Sequence, residues 1–222
     1  RGFWRIHELF QEKKIPVTIF GVGMALERNL EVCNAIKNSD YEIASHGWRW
    51  IDYQNISKAH EKKHMHLAIQ SIKKIFGQRP LGWYTGRCSP NTRDLVMEEG
   101  GFLYDSDSYS DDLPYWEKRG KKKQLIVPYT LDNNDMRFAT NQGFNSGDQF
   151  YTYLKDSFDA LYNEGSTHPK MMSVGLHCRL IGRPGRIQSL KKFLDYVLKH
   201  QEVWICKRID IAKHWIKNYS NI

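Results

Sequence analysis

The chain has 222 residues, 41% of them hydrophobic and 26% charged, which is ordinary globular usage and excludes a disordered or collagen-like chain. At this length one domain is expected to bury on the order of 70% of its unfolded surface without a disulfide or structural metal. The 33 Lys and Arg against 25 Asp and Glu leave a charge of +8, which names no partner by itself among nucleic acid, an anionic surface and an acidic substrate.

The apolar residues Phe3, Trp4, Ile6, Leu9 and Phe10 share one helical face that ends near Lys13-Lys14, and a strand-like run follows over 17–22. The phrase recurs as a helix over 30–38 and a strand over 42–45. A long helix starts at Ser57 and stops at Gly77, ahead of a strand over 82–85. A helix over 92–99 closes on Gly100-Gly101 and leads into a strand over 102–105, with another over 125–129. The basic run Lys118-Arg119-Gly120-Lys121-Lys122-Lys123 has no interleaved aromatic and is read as a solvated loop, so nucleic-acid binding is not expected. The polar stretch 132–148 is read as a long surface loop. Then come a helix over 149–162, strands over 171–177 and 203–206 flanking a helix over 187–199, and a closing helix over 210–217. Short apolar strands alternating with helices of this length imply an α/β domain with a parallel sheet.

Polar residues select between an open sheet and a closed barrel. His46, Tyr84 with Arg87, Asp105 with Asp107, and His177 each fall at or just past the end of a different predicted strand. In a barrel such ends share one face, so a (β/α) barrel is expected. No G-x-G-x-x-G or P-loop phrase follows a strand, which argues against a nucleotide cofactor.

The four cysteines, Cys33, Cys88, Cys178 and Cys206, form no C-x-x-C pair, and a reducing, cytoplasmic setting is expected. No apolar run approaches the ~18 residues of a membrane span, and no signal-peptide core is visible, so no membrane association is expected. The chain opens at Arg1-Gly2-Phe3-Trp4 in what reads as mid-helix, so a preceding segment is expected.

His60-Glu61-Lys62-Lys63-His64 matches the H-E-x-x-H of zinc peptidases. At about 100° per residue, however, Glu61 falls within the apolar face of Met65, Ala68, Ile69, Ile72, Ile75 and Phe76, while His60 points to solvent. The match is read as a charged helix surface. Four other clusters carry more. Ser45-His46-Gly47-Trp48-Arg49-Trp50 joins an imidazole to flat walls, and Trp83-Tyr84-Thr85-Gly86-Arg87 presents planar donors suited to a carbonyl or carboxylate. Asp105 and Asp107 stand at i and i+2, able to raise one another's pKa or orient a neighbour, with turn formation as the alternative. Leu176-His177-Cys178-Arg179-Leu180-Ile181-Gly182-Arg183 surrounds a histidine with arginines, which suits a polar substrate, a core-facing histidine being the alternative.

In order, the phrases ASHGWRWIDY, RPLGWYTGRCSPNTR, EEGGFLYDSDSYSDDLPYW and LHCRLIGRPGR resemble the motifs of the NodB-type polysaccharide deacetylase superfamily, most closely its cofactor-independent bacterial allantoinase branch. The resemblance covers nearly the whole chain. It implies a distorted (β/α) barrel, here lacking its first strand and the acidic motif on it, that hydrolyses a carbon–nitrogen bond other than a peptide bond. The substrate would be a cyclic amide such as allantoin, with an N-acetylated sugar as the alternative, and an inactive binding homologue as a third reading. Deacetylases of the superfamily bind a divalent metal through an H-x-x-x-H pair and an upstream Asp. Here His46 is followed by Trp50 in the second position, and an indole cannot ligate zinc; no metal cofactor is expected unless the deacetylase reading holds. The implied roles are His46 and His177 in proton transfer, Asp105 or Asp107 as orienting carboxylates and Arg87 as carbonyl donor. Trp48, Trp50, Trp83 and Tyr84 would be walls, and Arg179 and Arg183 would hold polar substrate edges. A homo-oligomer is expected.

Overall fold

The computed structural model describes residues 1–220. In chain order its elements are α1 (Gly2–Lys13), β1 (Val17–Gly21), α2 (Gly23–Glu27), α3 (Leu30–Lys37), β2 (Tyr41–Ser45), α4 (Lys58–Phe76), β3 (Gly82–Trp83), α5 (Thr92–Glu99), β4 (Tyr104–Asp105), β5 (Tyr115–Arg119), β6 (Lys122–Ile126), a 3₁₀ turn (Asp135–Ala139), α6 (Gly147–Glu164), α7 (Pro184–Val197) and α8 (Arg208–Asn218). They form two compact units, one of residues 16–128 with the chain from Cys206 onward, the other of residues 1–15 with 129–205.

The first unit holds a six-stranded sheet in the order β1-β2-β3-β4-β6-β5. All its neighbours are parallel except the β5–β6 pair, so this is the α/β architecture with a parallel sheet that the strand–helix alternation implies. β1 and β2 pair along their whole length, Val17 opposite Tyr41 through Gly21 opposite Ser45. α4 begins where the Ser57 hydroxyl accepts from the His60 amide at 3.3 Å and ends on Gly77 at φ 80°, a conformation that glycine accepts without strain. Its buried face delivers Met65 and Ile69 to a cluster with Trp83, Leu95, Val96 and Phe102. β3 and β4 approach closely because Gly82 has no side chain: a Cβ there would lie 2.1 Å from the Tyr104 ring.

A polar centre joins α8 to this sheet. Glu42 of β2 accepts from the Thr18 hydroxyl at 2.6 Å, the Tyr104 hydroxyl at 2.7 Å and the Ile209 amide at 2.9 Å. Burial raises the pKa of Glu42 above the ordinary carboxylate value against these donors. Beside it the buried Arg208 guanidinium donates to the Ser106 hydroxyl and the Val127 carbonyl, so both charges sit in a hydrogen-bonded setting.

The basic run 118–123 is a β-hairpin rather than a loop. Gly120, at φ 59°, opens its two-residue turn, and Arg119 faces Lys122 while Lys118 faces Lys123. Like charges directly opposite one another repel. Several partners offset that repulsion: Asp94 and Glu117 for Arg119, the Met97 carbonyl for Lys122, and the Trp116 ring for Lys123.

In the second unit α1 and α7 are joined by the Lys13–Asp195 ion pair, and α6 and α7 meet through Phe158 and Phe193. The Arg5 guanidinium donates to the Gly182 carbonyl at 2.9 Å. The strands expected over 171–177 and 203–206 are not ladder strands. Within the former only Gly175 is bridged, to Asn134, because an apolar extended segment becomes a strand only where a neighbour presents a matching row of backbone groups. No helix among the described residues is long and apolar enough to cross a membrane.

Candidate functional site

In the sheet unit, β2 ends at Ser45 and delivers His46 to the turn that follows. The His46 amide continues the ladder onto the Gly21 carbonyl at 2.8 Å, and Gly47, at φ 72°, then reverses the chain. His46 Nδ1 lies 2.9 Å from the Tyr84 carbonyl. A carbonyl only accepts, so Nδ1 carries the proton and the lone pair belongs to Nε2. The ring also stacks on Tyr84, with centroids 5.1 Å apart and planes 16° apart. β2–β3 pairing thus sets both the orientation and the tautomer of His46.

The guanidinium of Arg87 covers the exposed Trp50 ring at 4.5 Å. This pair bears on the divalent metal that the resemblance noted in the sequence implies for an H-x-x-x-H pair. At the second position stands an indole without a lone pair to donate, capped by a permanent cation, so the donor set does not fit a metal.

Other aromatics expected as walls divide. Tyr84 is buried against His46, with its hydroxyl 3.1 Å from that of Tyr109. Trp48 packs over Gly23, where a Cβ would come within 2.8 Å of its ring. Trp83 corrects the expectation: only 2% exposed, it is a core residue against Phe102, because alternation along β3 turns it to the opposite face from Tyr84.

Asp105 and Asp107 serve the scaffold. Asp105 is fully buried, paired with Arg93 and accepting from the Asp107 amide at 2.8 Å. Burial, reinforced by the charge of Asp107 and opposed by Arg93, raises its pKa to about 7. Asp107 reaches across to the loop after β3, accepting from the Thr85 amide at 2.9 Å and the Gly86 amide at 2.8 Å, which fixes the loop that carries Arg87. Burial and the nearby Asp107 charge push the Cys88 thiol far above its ordinary pKa, which disfavours the nucleophilic thiolate. Glu61, inside the H-E-x-x-H match, is also buried and accepts from Ser89 at 2.5 Å and from Thr92. It anchors the α5 entry rather than serving as a zinc-site base. Arg93 and Glu61 were not legible as partners because their counterparts lie 12 and 28 residues away.

In the other unit, His177 is held by a buried residue of the 132–148 stretch, which is therefore not wholly a surface loop. Asp135, fully buried, accepts from His177 Nδ1 at 2.6 Å and from the amides of His177 at 2.8 Å and Ile181 at 2.9 Å. Its own amide donates to the Gly175 carbonyl at 2.9 Å. This is the arrangement that fixes the tautomer and orientation of an imidazole. The signal that could have found it is the Asn133-Asn134-Asp135 phrase, in which the Asn134 side chain caps the 3₁₀ turn by accepting from Met136. Arg179 and Arg183 line a cleft of about 550 Å³ with Arg186, Ser146 and Phe138.

A model of the polysaccharide deacetylase family matches residues 1–98. A Schizosaccharomyces pombe protein described as a polysaccharide deacetylase is 44% identical over 96% of this chain and 72% of its own length. The chain belongs to the polysaccharide deacetylase family. Two crystal structures share its fold: one from Pseudomonas aeruginosa PAO1 described as a polysaccharide deacetylase, at 56% identity and TM-score 0.96 over 98% of this chain and 73% of that one, and that of Puue allantoinase, at 56% identity and TM-score 0.97 over 100% and 74%. As a member of this family, the protein is a hydrolase of the deacetylase type that cleaves carbon–nitrogen bonds.

Proposed function

We propose that the protein hydrolyses a cyclic amide of the allantoin type without a metal cofactor. The observation that carries this reading is the Trp50–Arg87 stack where a metal-dependent member needs a second histidine, and the 56% identity to Puue allantoinase supports it. Without a metal, opening an amide ring needs a group to take the proton of water, donors for the developing oxyanion and an acid for the leaving nitrogen. His177, held by Asp135, is assigned proton transfer through Nε2. Arg179 and Arg183 are assigned the polar edges of the ring. His46, Arg87, Trp48, Trp50 and Tyr84 are assigned to the reaction by their positions after β2 and β3, with Asp105 and Asp107 acting through the loops they hold.

The second reading, removal of an acetyl group from an N-acetylated sugar, is favoured by the equal identity to the Pseudomonas aeruginosa protein. The test is hydrolysis of allantoin and of an N-acetylglucosamine oligomer by chelator-treated and by zinc-supplemented enzyme. Turnover of allantoin after chelation is expected. Turnover of the oligomer alone, or activity that requires zinc, would overturn the proposal in favour of the deacetylase, and hydrolysis of neither would favour a binding homologue.

A further inference from the structure

The H-E-x-x-H match on α4 has a geometry of its own. The Nε2 atoms of His60 and His64 face one another at 3.0 Å, with the two rings crossed at 64°. Residues four apart are neighbours on a helix surface. Two neutral imidazoles hold such a contact only when one Nε2 carries hydrogen and the other a lone pair. Tyr53 decides which. Its hydroxyl lies 3.3 Å from the Arg49 carbonyl and 3.0 Å from His64 Nδ1. The carbonyl must accept, so both contacts are satisfied when the hydroxyl donates to Arg49 and accepts from His64 Nδ1–H. His64 then directs its Nε2 lone pair at His60.

We propose that His60 and His64 form a two-nitrogen chelate for a late first-row divalent cation of the Cu²⁺, Ni²⁺ and Zn²⁺ class. Nitrogens about 2.0–2.1 Å from an ion are about 2.9 Å apart at a right angle and about 3.4 Å apart at a tetrahedral one, so the pair is already spaced to grip one. Binding needs two adjustments at His60, which the exposed position of this ring permits: its proton passes through water from Nε2 to Nδ1, and the ring turns so that its Nε2 lone pair meets that of His64 at the ion. Tyr53 supplies the outer hydrogen bond that holds a ligating imidazole in its tautomer. No carboxylate joins, since Glu61 is turned inward onto Ser89 and Thr92, and Arg49 and Lys63 place positive charge beside His64. The pair therefore selects an ion that favours nitrogen donors over Mg²⁺ or Ca²⁺, which need oxygens. The described residues offer no group of three His, Cys, Asp or Glu to a metal, so water fills the remaining positions.

This site is separate from the hydrolytic reading, and binding, not turnover, tests it. Chelator-stripped protein is titrated with Cu²⁺ by calorimetry, with electron paramagnetic resonance of the complex. One equivalent bound through two nitrogens is expected, weakened at least tenfold in H60N, whose exposed position leaves folding intact, and about tenfold in Y53F. Unchanged binding in both H60N and H64Q, or preference for Mg²⁺ over Cu²⁺, would overturn the proposal.

Discussion

Two buried aspartates of this protein meet opposite fates. Asp105 in the sheet unit is paired with an arginine whose remaining bonds go to the Asp107 carbonyl and Glu117, so the cluster spends its charge internally. Asp135 in the other unit is equally buried, but its partner is an imidazole whose side chain keeps 23% of its surface exposed. A carboxylate held by a permanent cation is scaffolding, whereas one that holds a partly exposed imidazole passes its influence to a group able to move a proton.

The sharpest way to break this comparison is to remove the imidazole. H177A is expected to lower kcat for allantoin by about 10²–10⁴-fold with folding unchanged by circular dichroism, and kcat within a fewfold of wild type would remove His177 from the proposed reaction. Next in size is the tryptophan assigned to the core. W83A is expected to destabilise the fold by about 3–5 kcal/mol, read as a shift of the urea midpoint, while leaving KM near its wild-type value. A small stability change with a raised KM would return Trp83 to the substrate wall.

Arg87 separates a planar donor from a mere charge. R87K keeps the charge but not the stack on Trp50 or the paired donors, and a loss of about 10–100-fold in kcat/KM is expected. Retention of full kcat/KM would show that the Trp50–Arg87 pair only closes the metal position.

Asp105 offers the most specific effect, read only against pH. Its folded pKa, about 7, lies above the value of an unfolded aspartate. Below the unfolded pKa its stabilising contribution is complete. Between about pH 4 and pH 7 the folded state keeps a proton that the unfolded state has released, so stability falls as pH rises and levels off above that window. Urea midpoints of wild type and D105N across this range should differ in slope, the variant being flatter; parallel curves would mean that Arg93 keeps Asp105 ionised throughout.

Much of the fold was legible because periodicity is local. The helices at 3–13, 58–76 and 92–99 and the strands β1 and β2 follow from apolar spacing, the Ser57 cap and the stops at Gly77 and Gly100. The basic run misled because charge suggested a loop, while Gly120 and cross-chain partners make a hairpin of it. The segment 171–177 misled in the other direction, since its apolar pattern promises a strand that needs a neighbour's backbone to exist.

Of the candidate site, the chain order of motifs determined the family and put His46, Arg87 and His177 forward, since strand-end positions and residue chemistry are readable along the chain. Only the tertiary structure decided their neighbours. It joined Asp135 to His177 across 42 residues and the Tyr84 carbonyl to His46 across 38, and it sent Trp83 inward and Glu61 to Ser89 and Thr92. The physical reason is that hydrogen bonds and burial are properties of distance in space, and spacing along a sequence reports that distance only within a single helix or strand.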